Sequence, residues 1–218
     1  MNGADVRESR QSTGERLSQW LGWTDAIALS TALNGNPPAA PAARGAEGGA
    51  LDSECARVRA ALAAAITEDS IFSGTADAED DDFVPATTAT ADFAPFRQRY
   101  LARQQAMEAG IEPLRARLRA ALASRSPEMA KLATVDLVMA QALEAREHSL
   151  LATVPAALGR HFKRLRADAL AAQDEAAEPD AWLDAFRRDA RELLLAELDF
   201  RFQPVEGLLE ALRQRQKH

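Results

Sequence analysis

Residues with the reactivity for acid–base or metal chemistry are sparse in this chain. It has three histidines, His148, His161 and His218, and one cysteine, Cys55. Glu144, Glu147 and His148 fall in the run E-A-R-E-H. On a helix, Gln141, Glu144 and His148 share one face, a geometry that metal binding or proton transfer can use. Their spacing, however, is Glu-x-x-x-His, whereas bundle metal sites use Glu-x-x-His in two copies with further glutamates. No second copy occurs, so these residues read as a solvated helix face. His161 stands among Arg160, Lys163, Arg164 and Arg166, which offer it no catalytic counterpart. The run D-A-E-D-D-D at 77–82 has oxygen ligands for calcium but lacks the ordered spacing and central glycine of an EF-hand loop. It reads as an acidic loop. The chain has no His-Glu-x-x-His, no Gly-rich phosphate loop, no Gly-x-Ser-x-Gly and no Cys/His pair. The sequence therefore assigns no catalytic residue, metal ligand, cofactor or small-molecule substrate, and a non-enzymatic protein is expected.

The elements around these residues are helical. Ala, Leu, Arg and Glu dominate the composition, and these side chains lose little rotamer freedom on a helix. A lone cysteine allows neither an intrachain disulfide nor a cysteine-based zinc site. Cys55 reads as a small apolar residue on a helix. The formal charge of −7 gives no broad attraction to nucleic acid or anionic lipid. The start, Met1 to Gln11, has no apolar signal region, and no run approaches a membrane span. A cytoplasmic protein without membrane insertion is expected.

Taken in order, residues 1–35 predict a helical hairpin. Ser12-x-x-Glu15 forms a capping box, Leu17, Trp20 and Leu21 follow at helical spacing, and Thr24 and Asp25 open a second helix that ends at Asn34-Gly35. Residues 36–50, rich in Pro, Gly and Ala, read as a linker, so the hairpin is expected to be tethered. The remainder, 51–218, reads as a helical bundle interrupted by the acidic loop at 73–92. Leu51, Cys55, Val58, Leu62 and Ile66 make one stripe of a helix running to Phe72. Residues 93–124 form a helix expected to kink or break near Gly110 to Pro113. Ser126-Pro127-Glu128 starts the element expected at the centre, Pro127 to Gln173. Its stripe runs Leu132, Val135, Met139, Leu143, Leu150, and Pro155 kinks or restarts it. A last helical segment begins at Asp180 and either kinks at Pro204 or restarts there. The fold class is all-α: a helical bundle around a long kinked central helix, with a tethered N-terminal helical hairpin.

Two groups of residues are candidates for binding a partner. Trp20 and Trp23 sit at the corner of the hairpin, and tryptophan is enriched at interaction hot spots. They compete with a plain packing role. The second group is Arg160, Lys163, Arg164 and Arg166 in G-R-H-F-K-R-L-R. With seven arginines between Arg97 and Arg125, they offer a basic face for phosphate. A protein partner or self-association is the leading reading. A nucleic-acid-binding module using the basic faces is the alternative, disfavoured by the overall charge.

The segment D-V-R-E-S-R-Q-S-T-G-E-R-L-S-Q-W-L-G-W-T-D-A-I-A-L-S-T-A-L-N (5–34) resembles the signature of a proteobacterial family of unknown function. The stretches Tyr100 to Ala123, Ser149 to Arg166 and Leu193 to Leu212 are similar to it too, so the likeness covers most of the chain outside the two linkers. Family members carry a further short apolar helix before the A-D-V segment, which would support the hairpin. The family has no assigned activity, so the resemblance carries over no site residue. It implies a cytoplasmic accessory subunit working beside envelope-associated proteins of the proton-channel and OmpA-like kind.

Overall fold

The computed structural model describes residues 21–35, 37, 48–74, 91–172 and 180–214. Seven α-helices and no strand occur among them: α1 Trp23–Asn34, α2 Gly48–Thr67, α3 Ser70–Ser73, α4 Ala94–Ala123, α5 Pro127–Leu151, α6 Val154–Ala172 and α7 Ala181–Gln214. The protein is an all-α helical bundle, as the composition requires. The expected helix at 12–21 with Trp20, most of the linker, the acidic run 77–82 and the tail with His218 lie outside the described residues.

The centre of the bundle differs from the expectation. It is formed by α4 and α7, not by the 127–173 element. Helix α4 buries Phe96, Tyr100, Gln104, Met107, Ile111, Leu114, Leu118 and Leu122 on one stripe. Helix α7 buries Phe186, Ala190, Leu194, Leu198, Phe202 and Val205 in the same rhythm. The two run parallel, since Phe96 meets Phe186 near their starts and Arg125 reaches the Leu212 carbonyl near their ends. Helix α2 packs antiparallel to both, its Arg59 bonded to Asp199 and its Glu54 to Arg117. Helix α5 buries only Ala130 and Ala133. Its apolar face is too wide for its neighbours to cover, and Leu132, Leu137 and Leu150 remain exposed. Helix α1 lies against α5 and buries only Ala32.

Local signals explain most boundaries. Ser126 caps α5 by accepting from Met129 N–H at 3.2 Å, with Pro127 in the first turn. The 126–173 element is two helices: α5 ends at Leu151 and α6 starts at Val154 with Pro155 in its first turn. Helix α1 starts at Trp23 and is capped from Gly22, whose N–H donates to Asp25 Oδ2 at 2.9 Å; Thr24 lies inside it. The expected 51–72 helix is interrupted after Thr67. Asp69 caps the one-turn α3, and Gly74 closes α3 with φ +74°. Pro113 and Pro204 both sit inside continuous helices. At each, the carbonyl four residues earlier, Ala109 or Phe200, loses its helical donor.

The end of the core near α6 is aromatic. Phe96, Phe162 and Phe186 meet edge-on or tilted, with centroids 5.0–5.9 Å apart. Phe93 and Trp182 extend this cluster. Gly159 lets α6 approach it: a Cβ there would lie 2.8 Å from the Phe93 ring.

Candidate functional site

The α4 ridge from Glu108 to Arg119, the α5 face from Leu137 to Leu151 and the α7 segment from Phe200 to Pro204 enclose an open cleft of about 540 Å³. Ile111, Leu143 and Leu151 supply apolar lining, and Leu137 and Phe200, 41% and 53% exposed, add apolar surface open to solvent. Glu108, Glu112, Glu144 and Glu147 add carboxylates.

The three arginines lining the cleft are each bound to a carboxylate. Arg115 grips Asp136 with two bonds, 2.9 and 2.7 Å. Arg119 reaches the same Asp136 at 3.2 Å and Glu112 at 2.6 Å. Arg201 bonds Glu197 at 3.0 Å and lies 3.7 Å from Glu147. Glu108 and Glu144, both exposed, have no ion pair among the described residues.

Behind the cleft, a buried polar network joins three helices. Glu197 accepts from Tyr100 Oη at 3.0 Å, from Gln104 Nε2 at 3.0 and 3.1 Å, and from Arg201. Gln104 Nε2 also reaches the Leu151 carbonyl, 3.3 Å away at the end of α5. Burial, then the Glu197 charge and hydrogen bond, push the Tyr100 hydroxyl well above its ordinary pKa. Burial, then Glu54 and Asp52, likewise raise the Cys55 thiol. Among the described residues, no group of three His, Cys, Asp or Glu side chains could hold a metal ion.

The residues singled out by sequence are dispersed. Glu144, Glu147 and His148 line the cleft. His161 lies elsewhere: its Nδ1 accepts from Arg164 Nη2 at 2.9 Å, so its Nε2 carries the proton and donates to Asp189 at 2.8 Å. Arg164 is exposed and holds the His161 ring at the surface, and Arg166 reaches the Ala91 carbonyl at 3.3 Å. Arg160 and Lys163 are exposed. Of the seven arginines in 97–125, Arg99 and Arg103 face Asp69, while Arg115, Arg117 and Arg119 pair as above. Arg125 reaches a carbonyl, and Arg97 is exposed. Trp23, 84% exposed, contributes almost nothing to the core. Sequence reasoning did not single out Tyr100, Gln104, Glu197 and Arg201. The available signal was polar residues standing inside apolar stripes, with Gln104 one turn from Tyr100 and Glu197 between Leu194 and Leu198.

Fold and site together define a helical bundle in which the cleft arginines, Arg115, Arg119 and Arg201, tie neighbouring helices together. Residues 1–214 match the family described as Protein of unknown function (DUF3348), and the chain belongs to that family. No curated protein and no solved structure matches it. No described helix is long and apolar enough to cross a membrane.

Proposed function

We propose that this protein is a non-enzymatic helical interaction or accessory protein that binds a protein partner along its α1–α5 edge. One observation carries the reading. Among the described residues, nine large apolar side chains are left exposed, and six of them lie on the paired helices α1 and α5: Trp23, Ile27, Leu33, Leu132, Leu137 and Leu150. A seventh, Phe200, lines the adjoining cleft with Leu137. Soluble monomers seldom leave large apolar patches open, and such patches mark interaction sites. Trp23 and Ile27 are one turn apart on α1, which suits a hot spot. The resemblance adds the finer proposal of a cytoplasmic subunit of an envelope-associated complex.

Co-purification from the native host, with size-exclusion and light scattering, tests this reading. A retained partner or a defined oligomer is expected; a strict monomer that retains nothing overturns it. Exposed Arg160 and Lys163 keep a second reading, phosphate contact with nucleic acid. It requires a DNA or RNA mobility shift at about 50 mM salt that weakens steeply as salt rises.

A further inference from the structure

We infer that the cleft between α4, α5 and α7 receives a cationic amphipathic helix of the partner, an inference that rests on the interaction reading above and names the partner's chemistry. The cleft has the form that helix-in-groove recognition uses: an apolar lining with charge beside it. Its α5 wall from Leu137 to Leu151 is about 21 Å long at the helical rise, enough for a helix of about 14 residues. Phe200 and Leu137, both more than a third exposed, are placed to hold its apolar side chains.

Charge decides what kind of helix fits. Arg115, Arg119 and Arg201 are already bound by Asp136, Glu112 and Glu197. Glu108 and Glu144 are left without ion pairs among the described residues, and Glu147 has only the 3.7 Å approach of Arg201. The unmatched charge is negative, so lysine or arginine flanking the apolar stripe of the occupant complements it.

Among the described helices, α6 is the basic amphipathic one, with Arg160 and Lys163 exposed, but its apolar side chains Leu158 and Phe162 are already buried in its own core. Helix α1, the described helix with the least buried apolar surface, has Asp25 as its one charged side chain. A second copy offering α1 therefore brings no positive charge. Residues 1–20 carry Arg7, Arg10 and Arg16 against Asp5, Glu8 and Glu15.

The probe is a fluorescein-labelled Leu/Lys amphipathic peptide of about 14 residues, titrated into the full chain by fluorescence anisotropy beside a Leu/Glu counterpart. The Leu/Lys peptide is expected to bind and the Leu/Glu peptide not to bind. Phe200→Asp is expected to weaken binding about tenfold, the scale of a lost hot spot. Glu108→Lys combined with Glu144→Lys is expected to weaken it about threefold and to flatten its salt dependence. Unchanged helicity by circular dichroism confirms that the variants fold. Absence of binding overturns the inference. So does equal affinity for wild type and Phe200→Asp, which marks diffuse attraction to a chain of charge −7. Tighter peptide binding by Leu17→Asp assigns the cleft to the chain's own N-terminal segment, and a dimer dissociated by Phe200→Asp assigns it to a second copy; either result overturns a partner helix. A host partner retained through Trp23 while the peptide fails leaves the interaction reading standing and overturns only this inference.

Discussion

The Tyr100 hydroxyl donates to Glu197 across 3.0 Å in the interior, tying α4 to α7 at the level where α5 ends. Tyr100 is the only tyrosine in the chain, so its titration can be followed alone. Its folded pKa is raised, so the unfolded chain releases the proton near pH 10 while the native protein keeps it. This contribution to stability is therefore complete below about pH 10 and is lost as pH rises above it. Tyrosinate absorbance is expected to stay absent in the folded protein through pH 10 and to appear with unfolding. Tyr100→Phe is expected to cost about 1–2 kcal/mol at neutral pH and to make stability fall less steeply in alkali. A normal tyrosinate titration in the folded state would refute the burial argument.

Asp136 serves two guanidiniums that are themselves largely shielded, Arg115 at 15% and Arg119 at 11% side-chain exposure. Asp136→Ala leaves both without their shared acceptor. It is expected to cost about 2–3 kcal/mol, the scale for hydrogen bonds to charged groups. Glu112, though bonded to the same Arg119, is 61% exposed. Glu112→Ala is expected to cost less than about 1 kcal/mol because solvent already screens the pair. Urea unfolding of the two variants side by side checks the ranking.

What was legible in the sequence depended on which signal carried it. Leu51, Cys55, Val58, Leu62 and Ile66, or Ile111, Leu114 and Leu118, step by three and four, and such stripes face a core whatever the topology. Ser126-Pro127 and Pro155 mark helix starts because their chemistry is local. The centre was not legible. The Leu132-to-Leu150 stripe on α5 has the apolar pattern of a core helix, yet its buried residues are Ala130 and Ala133. Pro113 and Pro204 leave a kink and a break equally open in the sequence; both helices continue through them, with buried residues on either side. The Glu197 network joins residues up to 97 positions apart, a distance at which one sequence gives no pairing signal. The cleft is half visible: Glu144, Glu147 and His148 stand out, but for chemistry, Leu137 on the same helix reads only as widening its apolar stripe, and Phe200 on α7 carries no signal.

Gly159 makes room for a ring. A Cβ at this position would stand 2.8 Å from Phe93 Cε1, and Phe93 already packs tilted against Phe162 and edge-on against Phe186 at centroid distances of 5.7 and 6.2 Å. Gly159→Ala adds helix propensity but overpacks this corner, and the net expectation is a loss of about 1–2 kcal/mol. Phe93→Leu in the same chain is expected to relieve part of that loss, because the smaller side chain leaves room for the methyl. Thermal unfolding of the single and double variants measures the coupling; additive effects would show that the ring does not set the limit.

Trp23 separates stability from interaction. At 84% exposure it buries too little surface to hold α1 on α5, and Trp23→Ala is expected to change stability by no more than about 0.5 kcal/mol. If the α1–α5 edge binds a partner, the same substitution removes a large aromatic anchor. Partner retention in a pull-down from the native host is then expected to fall about tenfold, as for other truncated hot spots. Ile27→Ala, one turn away and 51% exposed, is expected to act in the same direction with smaller effect. A large fall in melting temperature with partner retention unchanged would make Trp23 a packing residue and remove the edge's main anchor.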